Sequence, residues 1–216
     1  MLDVFNIAKP QNCDIQTFYG GGASPSSTKD VKTWSKPRGV SNVYFLLIGS
    51  GGSGDSTNGG GSGAVTVWYG AAQNVPDNLE ILVGIPGNAS QIRYRTTSTT
   101  SSTLLLANAG STPGGGAATT ANTFAASGFY QSIAGQTGST GGVSASSTTF
   151  LSGGGGAGNT ATANYGYSST GNGFFQLQPI IVGVGCISAG VGGIGCGGGV
   201  PVTGIGGPGM VLIASW

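Results

Sequence analysis

The sequence predicts an all-β fold, a jelly-roll-like β-sandwich with long glycine-rich loops. Three observations predict it. Short β-branched and aromatic runs recur along the 216 residues with no helical periodicity. Glycine supplies 45 residues, about three times its usual share of ~7%. The apolar runs are joined by glycine-serine connections that carry almost no side chain to pack. About eight strands can be counted on this pattern, enough for two packed sheets.

The organising stretch is 43–63 with the run that follows it. Val-Tyr-Phe-Leu-Leu-Ile is continuously apolar, as in a strand covered on both faces. A fifteen-residue glycine-serine connection then leads to a second run. There Val65, Val67 and Tyr69 alternate with Thr66, Trp68 and Gly70, as a pleated strand requires.

Taken in order, residues 1–30 read as an N-terminal arm and 31–216 as the glycine-rich sandwich domain. The arm holds Leu2, Val4, Phe5, Ile7, Ile15, Phe18 and Tyr19, with breaks at Lys9-Pro10 and Gly20-Gly21-Gly22. Its alternation is too poor for a strand, and an arm docked on its own domain or on a neighbouring subunit is expected. Residues 29–34 form a short strand closed by Lys36-Pro37-Arg38-Gly39, a turn in which Pro sets φ and Gly permits the reversal. Further on, Leu79, Ile81, Val83 and Ile85 share one face of a strand that Pro86-Gly87 ends. Ile92 and Tyr94 alternate with Arg93 and Arg95 in a half-exposed strand, and 102–107 form another.

Residues 110–173 are mostly Gly, Ser, Thr, Ala and Asn. Packed extended loops and flexible linker both fit such low complexity. The recurring aromatics Phe124, Phe129, Tyr130, Phe150, Tyr165 and Tyr167 favour packing, as pegs holding loops to a surface. Extended polyproline-II-like rods are compatible; a collagen-like triple helix is excluded, because glycine does not recur strictly at every third residue. Strand character returns at 174–178, limited by Pro179 and continued by Ile180, Ile181 and Val182. The chain closes on 210–216, with Val211 and Ile213 on one face and Met210, Leu212, Ala214 and Trp216 on the other.

Chemistry is limited by what is missing. There is no His, so Ser-His-Asp catalysis, Cys-His catalysis and His-ligated zinc are impossible. The carboxylates are Asp3, Asp14, Asp30, Asp55, Asp77 and Glu80, and these read as solvent-exposed turn and strand residues rather than an acid-base pair. Charged residues make up 6% of the chain against a norm of about 25%, and none lies beyond Arg95. That pattern argues against a nucleic-acid module, which needs a basic stripe, and for a protein packed into an assembly. Cys13, Cys186 and Cys196 are an odd count; a Cys186–Cys196 disulfide and buried small hydrophobes are both open. Gly49, Gly51 and Gly54 match G-x-G-x-x-G, yet Asp-Ser-Thr-Asn-Gly-Gly-Gly follows where a dinucleotide site needs a helix. Asn88-Ala89-Ser90 is a glycosylation sequon without a visible secretory leader, and no apolar run reaches the ~20 residues of a membrane span. No catalytic, cofactor-binding or metal-binding residue is predicted.

Trp34-Ser35-Lys36-Pro37-Arg38-Gly39-Val40, followed by a strand ending Ile48-Gly49 and a glycine-rich loop, resembles the glycine-rich domain of bacteriophage tail and other virion structural proteins. The Gly59-Gly60-Gly61-Ser62-Gly63 return, the Val83-Gly84 step and the ending Gly-Gly-Pro-Gly-Met-Val-Leu-Ile-Ala-Ser-Trp are similar too. The resemblance covers 31–216 and implies a non-catalytic structural protein of a virion, assembling with copies of itself and other virion proteins. The short preceding arm suits a coat, vertex, decoration or small tail component. The alternative is a receptor-binding adhesin at a tail-fibre tip whose glycine-rich loops contact a host surface receptor. An extracellular bacterial surface protein is a third reading. No nucleic acid, no membrane insertion and no cofactor are expected.

Overall fold

Residues 210–215 carry apolar side chains on both faces, and the fold buries both faces. The computed structural model describes residues 14–20, 30–97, 100–138, 192–199 and 204–216. In chain order the strands are β1 (Asp14–Tyr19), β2 (Asp30–Ser35), β3 (Asn42–Ile48), β4 (Val65–Ala71), β5 (Asn78–Val83), β6 (Ser90–Arg95), β7 (Ser101–Ala107), β8 (Phe129–Ile133) and β9 (Met210–Ser215). They form two antiparallel sheets, a five-stranded one ordered β1-β9-β3-β4-β8 and a four-stranded one ordered β2-β5-β6-β7. Besides strands, the described residues hold two 3-10 turns, Ala72–Asn74 and Ala125–Ser127. None of their helices is long and apolar enough to cross a membrane.

The core lies between the sheets. Val43, Phe45, Leu47, Trp68, Val211 and Ile213 face inward from the larger sheet. Trp34, Leu79, Ile81, Val83, Ile92, Leu105 and Ala107 meet them from the smaller one. Rings fix its centre: Trp34 meets Phe45 edge-on at 6.1 Å, Phe45 lies 5.6 Å from Trp68, and Trp68 stacks on Phe124 at 4.9 Å. The indole N–H groups of Trp34 and Trp68 are buried without a hydrogen bond, so these residues are held by packing. Gly70 and Gly128 leave room for the Trp68 indole, since a Cβ on either would stand 2.5 Å and 2.8 Å from its ring.

The outer face of the larger sheet is apolar as well. Tyr44, Leu46, Ile48, Val65, Val67, Met210, Leu212 and Ala214 are buried there, with Cys196 against them and Tyr69 stacked on Trp216 at 5.7 Å. Burial on two faces explains the unbroken apolar runs of β3 and β9. Burial also pushes the pKa of the Tyr44 hydroxyl up.

Several sequence expectations need correction. Within the 1–30 arm, residues 14–19 are an edge strand paired with β9, Phe18 facing the core and Ile15 and Tyr19 exposed. Within 110–173, β8 is a second unforeseen strand, paired with β4. The 79–85 strand ends at Val83. The register of β6 against β7 shifts between Ile92 and Arg93, with Leu104 the extra residue on β7; β6 itself is half exposed as expected, Ile92 fully buried and Tyr94 at its exposed end. The strand expected at 174–178 lies outside the described residues.

Candidate functional site

Asp14, Asp55, Asp77 and Glu80 are spread around the fold and occupied locally. Asp55 closes a turn by accepting the backbone N–H groups of Asn58 and Thr57, both at 2.7 Å. Those bonds, Asn58 first, lower its pKa to about 2. Asp77 pairs with Lys36 at 2.9 Å. Glu80 accepts Arg95 Nε at 2.7 Å and is ion-paired with the same guanidinium. Asp14 accepts Gln16 Nε2 at 2.6 Å. Asp3 lies outside the described residues. Of the cysteines, Cys13 and Cys186 also lie outside them, and Cys196 is buried with Sγ 3.5 Å from the Ile194 carbonyl.

What the fold does concentrate is main chain. The connection from β3 to β4 is the hub of a glycine-rich array formed with residues 84–88, 108–116, 135–138, 192–199 and 204–209. The Gly51 N–H donates to the Gly207 carbonyl (2.9 Å), while the Gly51 carbonyl accepts from Gly87 (3.0 Å). Next along the chain, Gly52 donates to Gly61 (2.8 Å) and accepts from Gly198 (3.0 Å); Gly54 donates to Gly204 (2.8 Å). Successive residues thus bond to different neighbours, the pattern of bundled extended rods and not of a β ladder.

Close approach is what demands glycine here. A Cβ on Gly51 would overlap the Cys196 carbonyl, one on Gly110 the Gly61 carbonyl, and one on Gly206 the Gly51 carbonyl. Among the described residues, left-handed glycines are Gly39, Gly87 and Gly195, so φ is not the reason for most of the array. The G-x-G-x-x-G match is absorbed by this packing: Gly49 meets Asn108, Gly51 meets Cys196 and Gly54 meets Gly199.

Buried serines tie the array to both sheets. Ser90 Oγ donates to the Ile48 carbonyl (2.6 Å) and accepts the Gly84 N–H (3.1 Å), joining β3 to the end of β5. Ser62 accepts the Gln136 N–H at 2.7 Å on its hydroxyl. The sequon's serine is therefore a buried clamp. These hydroxyls carried no signal in the sequence, because serine in a glycine tract reads as loop.

A second feature is a cleft of about 380 Å³ beside the free edge of β7, lined by Thr103–Leu106, Ala118, Thr119, Thr120, Asn122, Ala125 and Tyr130. The segment before β8 forms its other wall. Asn122 Nδ2 donates to the Leu104 carbonyl (3.0 Å) and the Thr103 carbonyl (3.3 Å), and its Oδ1 accepts the Ala125 N–H (2.8 Å). The edge carbonyls of β7 are thereby capped by side chains. Of the expected aromatic pegs, Phe124 and Tyr130 pack on the core. Phe129 is half exposed, on the outer face opposite Tyr69. Phe150, Tyr165 and Tyr167 lie outside the described residues.

No protein-family model matches the chain, and no curated protein matches it.

Proposed function

We propose that this chain is a non-catalytic structural protein of a virus particle, a coat, vertex, decoration or small tail component that assembles with copies of itself and other virion proteins. The observation that carries the reading is the main-chain array. Its cohesion rests on backbone hydrogen bonds between side-chain-free segments, in a chain with no Lys, Arg, Asp or Glu beyond Arg95. Such cohesion offers salt almost nothing to screen and trypsin nothing to cut, which suits a particle component.

A jelly-roll-like path with long glycine-rich loops goes with this reading. In its support, the chain passes between the sheets several times, and β9 returns to lie between β1 and β3. The receptor-binding adhesin is the second reading, and it has its own observation. Ser53, Ser56 and Thr57 are exposed at the far turn of the β3–β4 connection, on the rigid base of the array.

Mass spectrometry of purified virions tests the first reading, with copy number dividing it from the second. Many tens of copies per particle are expected for a coat or decoration protein and a few for a fibre tip. Light scattering of the purified protein should show association that survives high salt. Absence from particles, together with a monodisperse monomer at every concentration, would overturn both readings.

A further inference from the structure

The cleft beside β7 has a lining with a definite chemical character, and the geometry points to a binding site for a neutral sugar ring. Its volume of about 380 Å³ lies near the lower end of the ~300–1,000 Å³ typical of ligand pockets, room for a small ligand. No charged residue lines it. The nearest in the sheet is Arg93, the cross-strand partner of Thr103, whose Nε donates to Gln91 at 2.7 Å. A phosphate or carboxylate would find no countercharge there.

The walls are already set before any ligand arrives. Thr119 Oγ1 and Tyr130 OH lie 2.6 Å apart, and Tyr130 OH donates to the Thr119 carbonyl at 3.0 Å, which fixes the ring. Asn122 is held at both ends of its carboxamide by the bonds described above. The exposed hydroxyls of Thr103 and Thr120 make no hydrogen bond among the described residues and stay available to a ligand, beside apolar Leu104 and Leu106. An apolar strip with free hydroxyls at its margin matches a pyranose, whose C–H face is apolar and whose edge is a ring of hydroxyls. Fixed walls reduce the ordering cost of binding, though a shallow uncharged site of this size binds weakly.

The test uses the full chain and three probes: methyl β-glucopyranoside, methyl β-galactopyranoside and N-acetylglucosamine. Saturation-transfer NMR followed by titration should detect at least one of them, with a dissociation constant in the millimolar range. The Thr103→Val, Thr120→Val double variant keeps the shape and removes the free hydroxyls; it should weaken binding at least tenfold. Ala118→Trp, at an exposed position on the cleft wall, should abolish binding, and an unchanged melting temperature for each variant shows that the fold persists. Glucose 6-phosphate should bind no better than the neutral glycosides. No binding of any probe at tens of millimolar, binding indifferent to both variants, or preference for the phosphorylated sugar would each overturn the assignment. Virion incorporation is measured separately, so failure here leaves the structural reading standing.

Discussion

Ser50 and Asn88 exchange two hydrogen bonds through a single hydroxyl. Ser50 Oγ donates to the Asn88 carbonyl at 2.8 Å and accepts the Asn88 N–H at 2.9 Å. Ser50 is fully buried, and it joins the end of β3 to the turn between β5 and β6, one sheet to the other. Ser50→Ala removes both of these bonds, leaving the Asn88 N–H its bond to the Ile85 carbonyl (2.8 Å) and the Asn88 carbonyl its long bond from the Ser50 N–H (3.4 Å). The expected cost is about 1–3 kcal/mol, a Tm lowered by about 2–12 °C in a thermal melt. Ser53→Ala, at the exposed turn, should melt with the wild type.

The array separates two kinds of glycine. Gly51→Ala places a methyl on the Cys196 carbonyl and should give insoluble or strongly destabilised protein. Gly87 has φ +78° with open space around its missing Cβ. Gly87→Asn should therefore be nearly neutral, because Asn enters the left-handed region readily, while Gly87→Val should cost more than Gly87→Asn. Soluble yield and Tm of the three variants check this ordering.

Lys36 shows which part of an ion pair matters. Its Nζ donates to the Val75 carbonyl at 2.7 Å and the Ala72 carbonyl at 3.1 Å, besides pairing with Asp77. The Lys36 side chain is 18% exposed and that of Asp77 is 84% exposed. Lys36→Met takes the ammonium donor from the Val75 carbonyl, while the Ala72 carbonyl keeps the Val75 N–H (3.1 Å), and should cost about 1–3 kcal/mol. Asp77→Asn removes only the exposed partner and should change stability by about 0–1 kcal/mol. Equal effects in chemical denaturation would contradict this division.

The Asp55 turn should respond to acid. Its folded-state pKa is lowered, so the turn's bonds are fully present above the ordinary carboxylate pKa. They are lost as pH falls through about 2. In an NMR titration, the Asn58 and Thr57 amide resonances should stay fixed down to about pH 3.5 and move below it. A midpoint near 4 would show that the carboxylate is not held by those amides.

β9 should be indispensable. It lies between β1 and β3, and its residues are buried on both faces. Each large aliphatic side chain there contributes roughly 1.5–3 kcal/mol by burial, against a whole-domain stability of about 5–15 kcal/mol. Deleting residues 210–216 should give insoluble protein. Leu212→Asp should come close to that by burying an unpaired charge. A soluble truncated chain with an unchanged Tm would refute the central position of this strand.

The two-sided strands were the most legible part of the sequence. The split of Val211 and Ile213 from Met210, Leu212, Ala214 and Trp216 is the split between the inter-sheet core and the outer apolar cluster. β1 was hidden because it is an edge strand whose inward positions include Gln16 as well as Phe18, which blurs the alternation. β8 was hidden by its setting, a short Phe-Tyr-Gln-Ser-Ile run inside a low-complexity stretch. The shift at Ile92 and Arg93 leaves no mark in local sequence, since it is set by pairing with β7. The array was legible as composition and not as contacts. Which glycine meets which carbonyl depends on segments far apart in the chain.

Wherever a hydrogen atom occupies the only space available, even the smallest alternative side chain is too large. Glycines packed onto a carbonyl, such as Gly51, Gly110 and Gly206, therefore have no conservative replacement, and most single-base changes in their codons should be purged by selection. Divergence between related chains should collect at the exposed turn carrying Ser53, Ser56 and Thr57. Among related chains the base should stay constant while the tip varies.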